Sequence, residues 1–231
     1  MAIQNFKAKI KSIEEISKDV KIFTLELDKE ITFRAGQFLT LIVEENGKRF
    51  TAPYSIASSP KEKKQIQFAI KLVNAGNVTS RLWKKMEGDE LNLMGPSGGF
   101  GIKNNDKDNL IFIGTGTGIA PLKSTIKSLL EENTKKSLTL IFGERFENQI
   151  LFEKELQELE NKYKNFKFIR VISKPSENYV GKKGHVQENL GDLEIGNSEA
   201  YLCGMSEMVE ECKEKLIKNG MEEENIFFEK Y

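Results

Sequence analysis

The hydrophobic period of this chain changes once, near residue 104, and that change constrains the fold more than any other feature. Before it, "FKAKIKSI" (6–13), "VKIFTLEL" (20–27), "QFLTLIV" (37–43), "IQFAIKL" (66–72) and "ELNLM" (90–94) alternate in polarity or are rich in β-branched and aromatic residues. Polar or glycine-bearing turns separate them, "KEKK" (61–64) reads as an exposed turn, and no long helical pattern interrupts the series. Such a run predicts a small antiparallel β-barrel of the Greek-key type. After the polar joint "NNDKDN" (104–109), strand and helix alternate. "LIFI" leads to a helix over 121–130, "LTLIF" to a helix from about 150 to 161, then come "FKFIRVI" and "AYLC", a helix from about 206 to 219, and "NIFFEKY". This alternation predicts a parallel α/β sheet with helices on both faces. The expected architecture is two domains, 1–103 and 104–231, and 231 residues accommodate two domains of about 100 residues each.

The helix ends carry their own signals. Pro121 is expected at the start of the first helix, where its missing N–H costs nothing, and Leu122, Ile126 and Leu129 recur at helical spacing. Ser206 is the expected N-cap of the last helix and Gly220 lies just past its end. The inward stripe of that helix is expected to be Met208, Val209, Cys212 and Leu216.

Composition excludes several kinds of chemistry. The formal net charge is zero, so no global charge draws the chain to nucleic acid. The abundant Lys and Glu residues are interspersed and read as solvated faces. Two cysteines, Cys203 and Cys212, argue against a disulfide framework and exclude a four-cysteine iron–sulfur cluster within this sequence. One histidine, His185, leaves little basis for a zinc site or a Ser-His-Asp triad, and no metal site is expected. No segment approaches ~18 consecutive apolar residues and the first residues lack a long apolar core. The expectation is a protein without a membrane span, in a reducing cytoplasm.

The turn "GTGTGIAP" (114–121) sits between the first parallel strand and its helix, with Gly114, Gly116 and Gly118 interleaved with Thr115 and Thr117. Glycine allows a tight turn and close approach of a ligand to the backbone. The helix N-terminus that follows offers unpaired N–H groups suited to a pyrophosphate. The pattern is not G-x-G-x-x-G, because Ile119 occupies the third glycine position. On these residues alone it is either a tight strand-to-helix turn or a seat for phosphates.

The eight residues together resemble the nicotinamide-binding loop of the ferredoxin–NADP reductase family. Six further segments fit that family in order: "FRAGQF" (33–38), "PYSIASSP" (53–60), "GNVTSRL" (76–82), "GPSGGF" (95–100), "LCGM" (202–205) and "FEKY" (228–231). The resemblance spans nearly the whole chain and implies a single-chain flavoprotein form without an iron–sulfur domain. Its barrel would bind flavin and its α/β domain NAD(P). FAD is the implied cofactor, with FMN as the alternative, and NADPH or NADH the implied cosubstrate.

The resemblance also implies roles for individual residues. Tyr54, following Ala52 and Pro53, would stack on one face of the flavin ring, and Ser55 would bond near its reactive N5 edge. Backbone groups of Ala69, Ile70 and Lys71 would border the ring or ribityl chain. Thr79 and the amides of Asn77, Val78 and Thr79 would hold the pyrophosphate at a turn opened by Gly76. Tyr231 resembles the aromatic that covers the second flavin face, Glu229 the acidic residue near hydride transfer, and Cys203, with Gly204 and Met205, the segment beside the nicotinamide. Ser55, Glu229, Tyr231 and Cys203 are thus the implied catalytic residues. Arg145, Ser173 and Lys174 lie where the family binds the adenosine ribose or its 2′-phosphate, with Lys183 and His185 as possible helpers. "ISKP…GKKGHV" resembles the NADH-using branch equally well, so the choice of nucleotide stays open.

One position departs from the family. An arginine normally stands two residues before the tyrosine and grips the flavin phosphate; here that residue is Ala52, with Arg49 nearby in sequence and Lys71 and Arg81 as candidate substitutes. The implied function is electron transfer between NAD(P)H and a one-electron protein carrier such as ferredoxin or flavodoxin, through bound FAD. The alternatives are an NAD(P)H:flavin reductase that uses free flavin as substrate, or an electron-transfer subunit of a larger complex.

Overall fold

The computed structural model describes residues 3–73, 76–103 and 106–231. The chain forms two compact units, Met1–Gly101 with Lys123–Ser128, and Ile102–Leu122 with Leu129–Tyr231. The predicted boundary after residue 103 falls at residues 104 and 105, which lie outside the described residues.

The first unit contains β1 (Gln4–Ser17), β2 (Val20–Leu27), β3 (Phe38–Glu45), β4 (Lys48–Ser55), β5 (Gln65–Lys71), the one-turn helix α1 (Thr79–Leu82) and β6 (Glu90–Ser97). The strands form one antiparallel sheet in the order β4-β3-β6-β1-β2-β5. Strict alternation drives it: Phe6, Ala8 and Ile10 of β1 are buried while Lys7 and Lys9 are exposed. The inward faces supply a core that includes Phe23, Leu25, Leu41, Phe68 and Leu93. Burying each such side chain contributes about 1.5–3 kcal/mol. β4 and β5 end the sheet, and the Ala57 N–H donates to the Gln67 carbonyl (2.8 Å), tying the two edges into the expected curled antiparallel barrel. β4 is the strand that hydrophobic alternation does not reveal. None of its residues is fully buried and it carries Pro53, which a terminal strand tolerates.

The second unit contains β7 (Asn109–Thr115), the two ends of α2 (Ile119–Glu131, whose middle residues Lys123–Ser128 group with the first unit), β8 (Ser137–Glu144), α3 (Glu153–Lys162), β9 (Phe166–Ile172), β10 (Lys182–Lys183), β11 (Ser198–Gly204), α4 (Ser206–Lys218) and β12 (Ile226–Lys230). Its sheet is wholly parallel, in the order β10-β9-β8-β7-β11-β12. The strand order reverses between β7 and β11, and such a switch point is where parallel sheets bind ligands.

Three helix starts differ from the sequence expectation. α2 begins at Ile119 after a single 3-10 turn over Gly116–Gly118, so Pro121 is its third residue. Its missing N–H still falls in the first turn, where no intrahelical partner exists. α3 begins at Glu153 rather than near 150, because Phe152 takes a left-handed conformation (φ 57°). In α4 the cap position is Met205, not Ser206: the Val209 N–H donates to the Met205 carbonyl (3.1 Å), so the helical ladder starts one residue earlier.

The far end of α4 behaves as expected. Gly220 is left-handed (φ 99°), and the bonds Gly220 N–H to Ile217 C=O (2.9 Å) and Met221 N–H to Leu216 C=O (3.0 Å) close a Schellman motif. The stripe Met208, Val209, Cys212 and Leu216 is buried. Both cysteines are free and buried. Among the described residues no helix is long and apolar enough to cross a membrane.

Candidate functional site

In the second unit the carboxyl ends of β7, β11 and β12 bring most of the predicted nucleotide residues together. Cys203 is level with Gly114 of β7 on one side and Glu229 of β12 on the other. Gly118 has no room for a side chain: a Cβ there would lie 2.2 Å from the Cys203 carbonyl oxygen. At Gly204 a Cβ would lie 2.6 Å from Thr115 Oγ1. Glycine at 118 and 204 therefore lets the β7–α2 turn close directly onto the end of β11.

Tyr231 reaches into this turn. Its hydroxyl accepts the Gly118 N–H (2.6 Å) and donates to the Thr115 carbonyl (2.7 Å). About half of the side chain faces solvent, at 57% exposure, but the hydroxyl end is tucked into the turn and burial pushes its pKa up to about 12. A phenol parked on the Gly118 amide occupies a donor that a nucleotide would use. Tyr231→Phe is therefore expected to tighten NAD(P)+ binding by about 2- to 10-fold, the equivalent of one net hydrogen bond. A fluorescence titration of both proteins checks this, and unchanged affinity would show that the amide is not used.

Cys203 is 3% exposed, and burial, with a lesser push from Glu229, raises its thiol to about 12. It is a neutral, apolar contact surface rather than a thiolate. Burial also raises the Glu229 carboxyl, against a lowering by Lys103. An acid whose pKa is raised on folding contributes stability at low pH that is lost as pH rises through the folded value. Glu229→Gln is accordingly expected to show a melting-temperature advantage over the unmodified protein that grows as pH rises above about 4.5, read by thermal melts at several pH values. A constant difference would contradict it.

Arg145, Ser173 and Lys174 gather at the carboxyl ends of β8 and β9. Glu144 C=O accepts the Ser173 N–H (3.0 Å) and Arg145 C=O accepts the Lys174 N–H (2.9 Å). Arg145 and Lys174 are exposed, and the Arg145 guanidinium lies 5.3 Å from the Phe146 ring centre. His185 is exposed, and its backbone N–H donates to Glu188. Lys183, in β10, is exposed as well.

In the first unit the predicted flavin residues lie on the two terminal strands. Phe50, Ala52 and Tyr54 alternate along β4 and all pack against the core. Tyr54 meets Phe68 edge-on with ring centres 6.3 Å apart, and burial raises its pKa to about 12. Ser55 ends β4 opposite Phe38, and Pro53 pairs Thr40. Ala69, Ile70 and Lys71 end β5. Thr79 is buried; its hydroxyl accepts the Val73 N–H (3.2 Å) and contacts the Val73 carbonyl (3.4 Å), so it holds the turn from inside. A Cβ at Gly76 would lie 2.5 Å from Thr79 Oγ1, which explains glycine there. Asn77 is exposed and Val78 buried.

Two orphaned groups test whether these places suit ligands. Thr115 Oγ1, beside the glycine turn, and Arg81 Nε, beside the Gly76–Thr79 turn, are buried without a hydrogen-bond partner. Unsatisfied buried polar groups call for an explanation, and phosphate and hydroxyl groups of a dinucleotide would supply such partners. The residues present therefore fit FAD in the first unit and NAD(P) in the second. The arrangement that sequence reasoning missed is the support of Arg81 by Phe50 and Glu45. The visible signal is that Phe50, Ala52 and Tyr54 are two residues apart and so share a face, but β4 has to be known as a strand first.

Comparison with known proteins agrees with this division. Residues 7–102 match the family model described as an oxidoreductase FAD-binding domain, and residues 112–214 match the oxidoreductase NAD-binding domain. The phenol hydroxylase P5 protein of Acinetobacter pittii is 30% identical over 235 residues, covering 99% of this chain and 66% of its own length. The reductase component DmpP of a Pseudomonas phenol 2-monooxygenase is 26% identical, again with 66% of its length covered, so the chain spans just under two thirds of both these relatives. Ferredoxin–NADP reductase B of Sorangium cellulosum is 27% identical, with 88% of each chain covered. The same fold occurs in a ferredoxin–NADP+ reductase from Neisseria gonorrhoeae solved with bound FAD and NADP, at a TM-score of 0.83, 21% identity and coverage of 99% of this chain and 98% of that one. With its two cofactor-binding domains matched in order and its residues suited to both ligands, the chain belongs to the ferredoxin–NADP reductase-like family of oxidoreductases.

Proposed function

We propose that this protein is an NAD(P)H-dependent flavoprotein reductase that passes electrons to a small one-electron redox protein such as ferredoxin or flavodoxin. The observation that carries this reading is the glycine turn closed onto Cys203 and Gly204 at the switch point of a parallel sheet, with Thr115 Oγ1 left unpaired. When bound, NAD(P)H would supply a hydride, and FAD would supply a two-electron acceptor able to pass electrons on one at a time.

The chain's own residues bind and orient. Thr115, with the Gly116 and Gly118 backbone, receives the nucleotide pyrophosphate, and Arg145, Ser173 and Lys174 receive its adenosine end. Cys203 offers a neutral, buried surface for the nicotinamide, and Tyr231 yields its place on the Gly118 amide as the nucleotide enters. Glu229 holds its proton to a higher pH than an ordinary carboxyl, which suits proton exchange beside hydride transfer. Tyr54 and Ser55 face the flavin, with the ends of β5 as its backbone border.

Ferredoxin–NADP reductase B, similar over 88% of both chains, supports the protein-carrier reading. The test is NAD(P)H oxidation by gel-filtered protein supplied with ferredoxin or flavodoxin, compared with added free FMN. Turnover of the protein carrier by protein that keeps its flavin through filtration is expected. Turnover only after free flavin is added would replace this reading with a flavin reductase.

A further inference from the structure

A dianionic pyrophosphate held in the first unit needs a cation, and Ala52 does not provide one. Arg81, in α1, is built into the unit in a way that leaves its buried Nε without a partner. Its Nη1 donates to the Asn77 carbonyl (2.6 Å), its Nη2 pairs with Glu45 Oε2 (2.7 Å), and its guanidinium carbon lies 3.6 Å from the Phe50 ring centre. These three contacts fix the plane of the fork. Nε is buried and has no partner. Its side chain is only 19% exposed, and a cation held this way with an unmade hydrogen bond is poised for an anion.

The surroundings say which anion. Phe50, Ala52 and Tyr54 share one face of β4. A strand rise of ~3.3 Å per residue separates Phe50 from Tyr54 by roughly 13 Å. A flavin ring set on Tyr54 carries its first phosphate at the end of a five-carbon ribityl chain, a span of the same order. Ala52, between them, is small enough to leave the path of that chain open. Lys71 ends β5 as an exposed side chain and lacks this fixed geometry.

We propose that Arg81 is the phosphate-binding cation of the flavin site, held by Phe50, Asn77 and Glu45, and that it sets the preference of this chain for phosphorylated flavins over riboflavin. This rests on the flavoprotein reading above. The role differs from a purely structural one, because a bracket between α1 and β4 would not distinguish FMN from riboflavin.

The test is a fluorescence titration of flavin-free protein with riboflavin, FMN and FAD at low and high ionic strength, for the unmodified chain, Arg81→Gln and Arg81→Lys. FMN and FAD are expected to bind more tightly than riboflavin, with the advantage shrinking in high salt. Arg81→Gln is expected to cut that advantage by about tenfold or more while riboflavin affinity stays within about twofold, and Arg81→Lys to retain part of it. An unchanged FMN-to-riboflavin ratio in Arg81→Gln overturns the assignment. If that variant does not fold, the unmodified protein decides: equal, salt-independent affinity for FMN and riboflavin overturns it, and a salt-sensitive preference for FMN that Arg81→Lys reduces supports it. Binding of no flavin by the unmodified protein would instead sink the flavoprotein reading itself.

Discussion

Gly118→Ala is expected to slow reduction by sub-saturating NAD(P)H about tenfold or more while leaving bound flavin in place. A Cβ at this position would lie 2.2 Å from the Cys203 carbonyl oxygen, 2.6 Å from the Cys203 carbonyl carbon and 3.0 Å from the Gly204 nitrogen. All three are backbone atoms, so no side chain can swing aside to relieve the contact. Forcing an extra methyl into a packed region costs about 1–3 kcal/mol, and here the strain is released only by moving the β7–α2 turn away from the end of β11. The turn is the proposed pyrophosphate seat, so nucleotide affinity is expected to fall roughly tenfold or more, a change of ~1.4 kcal/mol per decade. The strands that carry Tyr54 and Ser55 belong to the other unit, so the flavin spectrum is expected to stay as in the unmodified protein. Rapid-mixing kinetics with NADH and NADPH check this. Reduction at the unmodified rate would show that the turn does not seat the nucleotide.

The second large effect is expected in the first unit, at Gly36. This residue is left-handed (φ 83°) and a Cβ on it would lie 1.6 Å from the Phe100 carbonyl oxygen. The turn that it opens is held by Arg34 N–H to Gln37 Oε1 (2.8 Å) and by Gln37 Nε2 to the Gly98 carbonyl (3.2 Å). Gly36→Ala adds the left-handed penalty of ~1–2 kcal/mol to an overlap that no local adjustment removes. Loss of soluble, flavin-binding protein is the expected outcome, read by thermal melts and by flavin retention. Gly47→Ala is the control. Gly47 is also left-handed (φ 73°), but a Cβ there meets nothing within 4 Å, so its cost is expected to be the left-handed penalty alone, ~1–2 kcal/mol. Equal effects at the two positions would show that the Phe100 contact is unimportant.

Much of this architecture was legible in the sequence, because alternation in the first half and strand–helix alternation in the second are direct consequences of which faces are buried. The same logic explains what was not legible. β4 is an edge strand with no fully buried residue and a proline, so its period is faint. β10 has only two residues, Lys182 and Lys183, and no hydrophobic signal at all. Reading every lysine as part of a solvated face fails at Lys123, which is fully buried in α2 and donates to Gln67 Oε1 (2.8 Å). Ser124, also buried, donates to the Ser58 carbonyl (2.7 Å). Periodicity reports one apolar stripe, and it cannot report a helix whose polar side is buried too, because the partners of Lys123 and Ser124 are more than fifty residues away in sequence.

The candidate site divides in the same way. Glycines at 114, 116 and 118 mark the turn from sequence alone, since tight backbone approach demands them. That Tyr231 would lodge its hydroxyl on the Gly118 amide is a tertiary contact across 113 residues. Ala52 was visible as a missing cation, but the geometry of Arg81 depends on Phe50 and Glu45 meeting α1 in space.

The most direct test of the central claim is a visible absorption spectrum of the purified protein, before and after NADH or NADPH is added in separate anaerobic cuvettes. Flavin bands that bleach with at least one nucleotide are the predicted result. Absence of flavin absorbance even after incubation with excess FAD, or bands that neither nucleotide bleaches, would contradict it.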